Sequence, residues 1–222
     1  MPVHLKRDID NLKNKILALS ELVVESVQRA IGSLEQGDPA LAQSVIDGDI
    51  TIDKMEVEVE EDCLKILALY QPVAVDLRFI VAVLKINNDL ERIGDLAVNI
   101  AERAEYLSRQ NKIDILLDFP TMAEKAQAML RNSLKALVNL DSALARQVCA
   151  ADDEVDALNR EMFDKVKEGI EIHPENMDAL IHLLSISRHL ERIADQATNI
   201  AEDVIYMVEG VIARHKTEEY RR

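Results

Sequence analysis

The chain has 222 residues, with 26 Lys and Arg against 41 Asp and Glu, a formal charge of −15. Aromatic residues make up 3 %, Trp is absent, and only 6 Gly and 5 Pro punctuate the sequence, which excludes a β-sandwich, a collagenous chain and a disordered chain and points to long helices. So acidic a protein lacks the basic footprint for nucleic acid or an anionic membrane surface, and suits cations or a partner with a basic face.

The first helix carries Ile9, Leu12, Ile16, Leu19, Val23, Val27, Ala30 and Leu34 at steps of three and four, an amphipathic stripe. Gly37 ends it, and Asp38-Pro39 supplies an N-cap and a proline for the second helix, which runs to about Tyr70. Gln71-Pro72 breaks the chain before a third helix reaching about Arg109. The polar stretch from Gln110 onward reads as a link. Thr121 with Glu124 reads as a capping box opening the fourth helix. Asp141 caps the fifth, and His173-Pro174 precedes the sixth. The third and sixth helices are expected to approach forty residues.

This order repeats. Leu90 to Glu102 and Leu190 to Glu202 share 10 of 13 residues at an offset of 100, and Asp38, Ala42, Val45, Asp49 and Asp53 recur as Asp141, Ala145, Val148, Asp152 and Asp156 at an offset of 103. The fold class is therefore all-α, two tandem three-helix bundles of residues 1–112 and 113–222. The amino terminus has no signal core and the longest apolar run, Phe79 to Leu84, cannot span a bilayer, so a soluble cytoplasmic protein without membrane insertion is expected. Cys63 and Cys149 lie in apolar helical stretches and read as buried thiols.

The acidic residues follow the helical period. At about 100° per residue, Glu91, Asp95, Asn99 and Glu102 share one side of the third helix, opposite Ile86, Leu90, Ile93, Ala97 and Ile100. Glu191, Asp195, Asn199 and Glu202 repeat the arrangement in the sixth helix, so both rows are expected on outward, water-facing flanks. The second helix adds Asp49, Asp53, Glu56 and Glu60. In the fifth only Asp152 and Asp156 persist, because Asn159 and Phe163 hold the later positions. Carboxylates one turn apart repel, and a cation between them reverses the sign. All-oxygen ligation suits hard ions, Mg²⁺, Mn²⁺, Ca²⁺ or iron, rather than structural zinc. The alternative is a solvated acidic face with local ion pairs, Arg92 to Asp95 and Arg188 to Glu191, and the spacing leaves both open. No Glu-x-x-His, phosphate loop or nucleophile signature is present, and nothing reads as catalytic; His189 is expected on the helix surface.

The repeated Leu-Glu-Arg-Ile segments, with Tyr70-Gln71-Pro72-Val73-Ala74-Val75-Asp76-Leu77-Arg78, resemble the signatures of the PhoU family over essentially the whole chain. The resemblance implies a cytoplasmic, non-enzymatic and frequently dimeric regulator of phosphate uptake and phosphate-starvation signalling. It would act negatively, linking the ATPase subunit of a phosphate ABC transporter to a sensor histidine kinase. The resemblance also implies divalent or ferric ions (iron, manganese, magnesium or zinc) at Glu91 with Asp95 and Glu191 with Asp195, and extends this to Asp49, Asp53, Asp152 and Asp156. A metal-dependent enzyme acting on phosphate compounds and a metal-free helical scaffold are the rival readings.

Overall fold

The computed structural model describes residues 3–110 and 118–211. Six helices follow one another: α1 Val3–Gln36, α2 Pro39–Tyr70, α3 Ala74–Ser108, α4 Phe119–Asn139, α5 Ser142–Ile172 and α6 Met177–Glu209, with a single 3₁₀ turn, Pro174–Asn176, ahead of α6. The expected boundary between the halves, at residue 112, lies outside the described residues.

The caps explain most helix limits. Asp38 accepts from the Ala40 and Leu41 backbone N–H groups, and Asp141 from that of Leu144, so each satisfies amides that the first turn leaves unpaired. The opening of α4 differs from the Thr121 expectation. Asp118 is its N-cap and accepts from the Thr121 N–H at 3.3 Å, while Pro120 occupies the first turn, where a missing N–H costs nothing. Thr121 is therefore already helical. α3 and α6 are also shorter than expected, 35 and 33 residues: α3 runs only from Ala74 to Ser108, and the 3₁₀ turn takes up the residues after His173.

α1, α2 and α3 pack together as one bundle, and α4, α5 and α6 as the other. The α1 stripe is buried from Leu5 to Ala30, and Ile86, Leu90, Ile93, Ala97 and Ile100 are wholly buried in α3, as are their α6 counterparts but for a trace of Leu190. Met122, Met129 and Met162 fill the second core, and Cys63 and Cys149 are buried free thiols. Burial, with nearby carboxylates, pushes both thiols up to about 12, so they stay protonated and inert.

α3 also packs along α6, and α1 touches α4. Lys85 donates to Asp203 at 2.9 Å, and the Tyr106 ring stacks on His182 with centroids 4.0 Å apart. An early α3 residue thus meets a late α6 residue and the reverse, so the two third helices run antiparallel across the joint. With α1, α2 and α6 all against it, α3 keeps a narrow exposed strip along its middle, Asn88, Arg92, Asp95 and Glu102, besides the exposed residues of its two ends.

Candidate functional site

That strip is where the first acidic row lies, and it borders α2. Asp53 and Asp95 are exposed, while Asp49, Glu56 and Glu91 are half-buried. The row therefore lines an inter-helix groove rather than a flank turned wholly to water. Gly94 allows this approach. A Cβ there would lie 3.2 Å from Asp49 Oδ1 and 3.3–3.4 Å from Ile52, so a side chain would hold the two helices apart. The second bundle has Ala194 at this position, buried, and the equivalent groove between α5 and α6 is lined by Asp152, Asp156, Glu191 and Asp195.

The electrostatics of the two grooves agree. Partial burial, then Asp53 and Asp95, raises the Asp49 carboxyl to about 6. Burial, then Asp195 and Asp156, does the same for Asp152, and burial with Glu191 and Asp156 for Asp195. Glu91 is raised by burial, then by Asp95, Glu56 and Asp53; Glu191 by burial, then chiefly by Asp156. In each groove burial comes first and acidic neighbours add to it, which requires their proximity without enough local positive charge. The local pairs weighed from sequence do not form: among the described residues no ion pair joins Arg92 to Asp95 or Arg188 to Glu191. Arg160 lies 3.9 Å from Asp156, at the loose end of the ion-pair range.

Polar clasps fix the helices beside each groove. Asn87, buried on α3, donates from Nδ2 to the Glu56 carbonyl at 2.9 Å and to Glu56 Oε1 at 3.0 Å. At the corresponding place Ser187 donates to Asn159 Oδ1. Sequence reasoning missed both donors, although a lone Asn and a lone Ser interrupting an apolar stripe are the signal for such a clasp. It also explains why Asn159 can replace Glu56: the position serves as an acceptor for the third helix.

Two expected placements, those of Glu202 and His189, need correction. Glu202 is not on an outward face but 8 % exposed, near Cys149 of α5, whereas Glu102 is exposed on α3. Asn99 turns its amide back to the Asp95 carbonyl at 2.7 Å, and Asn199 Nδ2 meets Gln196 Oε1 at 3.5 Å, so both amide nitrogens are used locally. His189 faces the inter-bundle joint instead of solvent. Its ring nitrogens are buried without hydrogen-bond partners among the described residues, and burial followed by Arg103 lowers it to about 4, leaving it neutral. Among the described residues, no three His, Cys, Asp or Glu side chains stand close enough together to enclose a metal ion. The donors are all oxygen, which fits a hard cation in chemistry, with Asp53, Asp95 and Asp195 free at the surface to turn inward.

The repeat has a counterpart among known proteins. A family profile described as the PhoU domain matches residues 5–104 and again 119–204. The chain belongs to the PhoU family. It is 38 % identical, over 96 % of both chains, to a protein of Aquifex aeolicus named phosphate-specific transport system accessory protein PhoU homolog. Two solved structures share the fold. PhoU from Pseudomonas aeruginosa superposes with a TM-score of 0.90 at 33 % identity, covering 93 % of this chain and 99 % of that one. The phosphate transport system regulatory protein PhoU from Streptococcus pneumoniae superposes with a TM-score of 0.84 at 27 % identity, covering 94 % and 98 %. Family membership accounts for both halves, since the profile matches each in turn. Among the described residues no helix is long and apolar enough to cross a membrane.

Proposed function

We propose that the chain is a cytoplasmic, metal-binding accessory protein of a phosphate transport system. It couples the ATPase subunit of a phosphate ABC transporter to a sensor histidine kinase and damps the phosphate-starvation response when phosphate is plentiful. The accessory and regulatory names of its relatives support the transport role and favour a non-enzyme. The metal assignment rests on one observation: two grooves at equivalent places gather carboxylates, and burial with acidic neighbours raises Asp49 in one and Asp152 and Asp195 in the other. Asp49, Asp53, Glu91 and Asp95 would hold ions in the first groove, and Asp152, Asp156, Glu191 and Asp195 in the second. A hard cation supplies charge neutralisation, together with open coordination positions toward a phosphate-bearing or acidic surface. Glu202 is too buried to join such a set without rearrangement, and Glu102, Asn99 and Asn199 stand at its margin.

Titration calorimetry with Mn²⁺, Mg²⁺ and ferric iron tests the site, on the wild type and on Glu91→Ala/Asp95→Ala. Saturable heat that falls at least tenfold in affinity in the variant is expected; no binding by either protein removes the metal. Co-purification with the transporter ATPase from phosphate-replete cells tests the adaptor role, and no association in either phosphate condition would count against it.

A further inference from the structure

A cleft of about 520 Å³ opens far from both acidic grooves, where the ends of α4 and α6 meet α1 and the start of α3. Val75, Val138, Leu140 and Val208 line it, and each is between 40 and 60 % exposed. Four aliphatic side chains from three helix ends, all left to water around one opening, form the kind of surface that a folded chain normally covers.

Leu140 is the most informative of them. It sits in the left-handed region, φ 51°, at the turn between α4 and α5. The same turn of the first repeat has Gly37, φ 63°, where no side chain opposes the conformation. A leucine here is strained, and its side chain is 53 % exposed, so burial in this chain does not offset the strain. The first repeat shows that the turn can be made with glycine. A leucine in the place of that glycine puts an exposed apolar side chain at the cleft where the turn itself requires none.

The charges around the cleft indicate what would cover it. Lys6, Lys13 and Arg78 line it against Asp10 and Asp76, a net positive wall in a chain of charge −15. Lys13 lies over the Phe79 ring, 5.4 Å from its centroid. Arg78 Nε is buried without an acceptor among the described residues. A guanidinium left one acceptor short beside an apolar cleft matches a carboxylate at the edge of an apolar ligand. We propose that this cleft docks an amphipathic helix of a partner protein, its leucine-rich face entering between Val138, Leu140 and Val208 and its flanking Asp or Glu carboxylates meeting Arg78, Lys6 and Lys13. The open rim favours a helix lying across several helix ends.

Fluorescence anisotropy with two labelled 16-residue helical peptides tests this. Both carry Leu at i, i+3, i+4 and i+7; one is flanked by Glu, the other by Lys. The Glu peptide is expected to saturate and to bind at least tenfold more tightly than the Lys peptide. Val138→Asp and Arg78→Gln should each weaken it at least fivefold, with circular dichroism melts confirming the fold. Leu140→Gly is the arm that separates docking from structure: the melting temperature should rise while the Glu peptide binds several-fold more weakly. Equal binding of the two peptides, saturation by neither, or a Leu140→Gly variant that binds unchanged would overturn the proposal. So would binding of oleate, or of phosphatidylglycerol vesicles, by a chain that ignores the Glu peptide.

Discussion

At single residues, the grooves set like charges against partial burial, and this has a pH signature. Asp49, Asp152 and Asp195 ionise near 6 in the folded chain and near 4 when unfolded. Between those values the folded chain holds more protons, so their contribution is complete below about pH 4 and is lost as pH rises through 6. Asp8, held down by the Tyr70 hydroxyl, and Glu209, held down by Ser142 and Arg146, work the other way and weaken the fold only as pH falls below the usual carboxylate range. His189, lowered to about 4 by burial, and His182, also lowered, oppose the groove carboxylates in the same interval, because the unfolded imidazoles take up protons near 6.5 that the folded ones resist. Measured against Asp49→Asn/Asp152→Asn/Asp195→Asn, which keeps both histidines, the metal-free wild type is therefore expected to lose on the order of 1–2 kcal/mol, after solvent screening, between pH 5 and pH 7.5 in paired thermal melts. Saturating Mn²⁺ at pH 7.5 should remove the difference. Asp49→Asn should stabilise the metal-free chain at pH 7.5, by about 0.5–1 kcal/mol, while weakening Mn²⁺ binding, measured by thermal melts and calorimetry on the same samples. The sequence made most of this row legible, because helical spacing puts Glu91, Asp95, Glu191 and Asp195 on one side whatever packs nearby. It could not reveal the burial of Glu202 or His189. Those depend on α5 and on the antiparallel joint, and helical period carries no information about which neighbour covers an outward face.

Helices report the same division between local and long-range causes. The caps at Asp38 and Asp141 were readable because each acts within three residues, and the core stripe of α1 because it needs only one apolar wall. The start of α4 was misread since two candidate caps stood three residues apart, and Pro120 favours the earlier one by fitting the first turn. Glycine within helices shows how packing overrides propensity. Gly48 is exposed on α2 with nothing within 4 Å of where a Cβ would stand, so Gly48→Ala should add about 0.5–1 kcal/mol. Gly94→Ala gains the same propensity but presses on Asp49 and on Ile52, which is 3 % exposed and has little room to yield. No net stabilisation is expected from it, and a weaker Mn²⁺ affinity should follow if Asp49 is displaced. Chemical denaturation of the two variants side by side makes the comparison; equal gains from both would mean that the close approach of α2 to α3 carries no constraint.

Across the whole molecule, the question is whether two homologous bundles behave as one body. Each buries its own core, and a tandem repeat alone would permit a loose pair. The joint argues otherwise. Asp203 is 2 % exposed and accepts from Lys85, which is 39 % exposed on the other bundle and also lies over the Tyr206 ring at 5.2 Å. Removing a lysine from a carboxylate that buried leaves charge without its inter-bundle partner, whereas removing one from an exposed pair costs little. Lys85→Met should therefore lower stability by about 2 kcal/mol, a drop of roughly 5 °C in melting temperature for a chain this long. Lys125→Met, which breaks the exposed pair with Glu154 inside the second bundle, should cost less than about 0.5 kcal/mol. The shape of the transition carries more information than its midpoint. If α3 and α6 couple the bundles, the wild type melts in one cooperative step and Lys85→Met broadens or splits it, because each half retains a core of its own. A Lys85→Met protein that melts as sharply and as high as the wild type would show that the apolar contacts of α1 with α4 and α3 with α6 hold the halves together unaided.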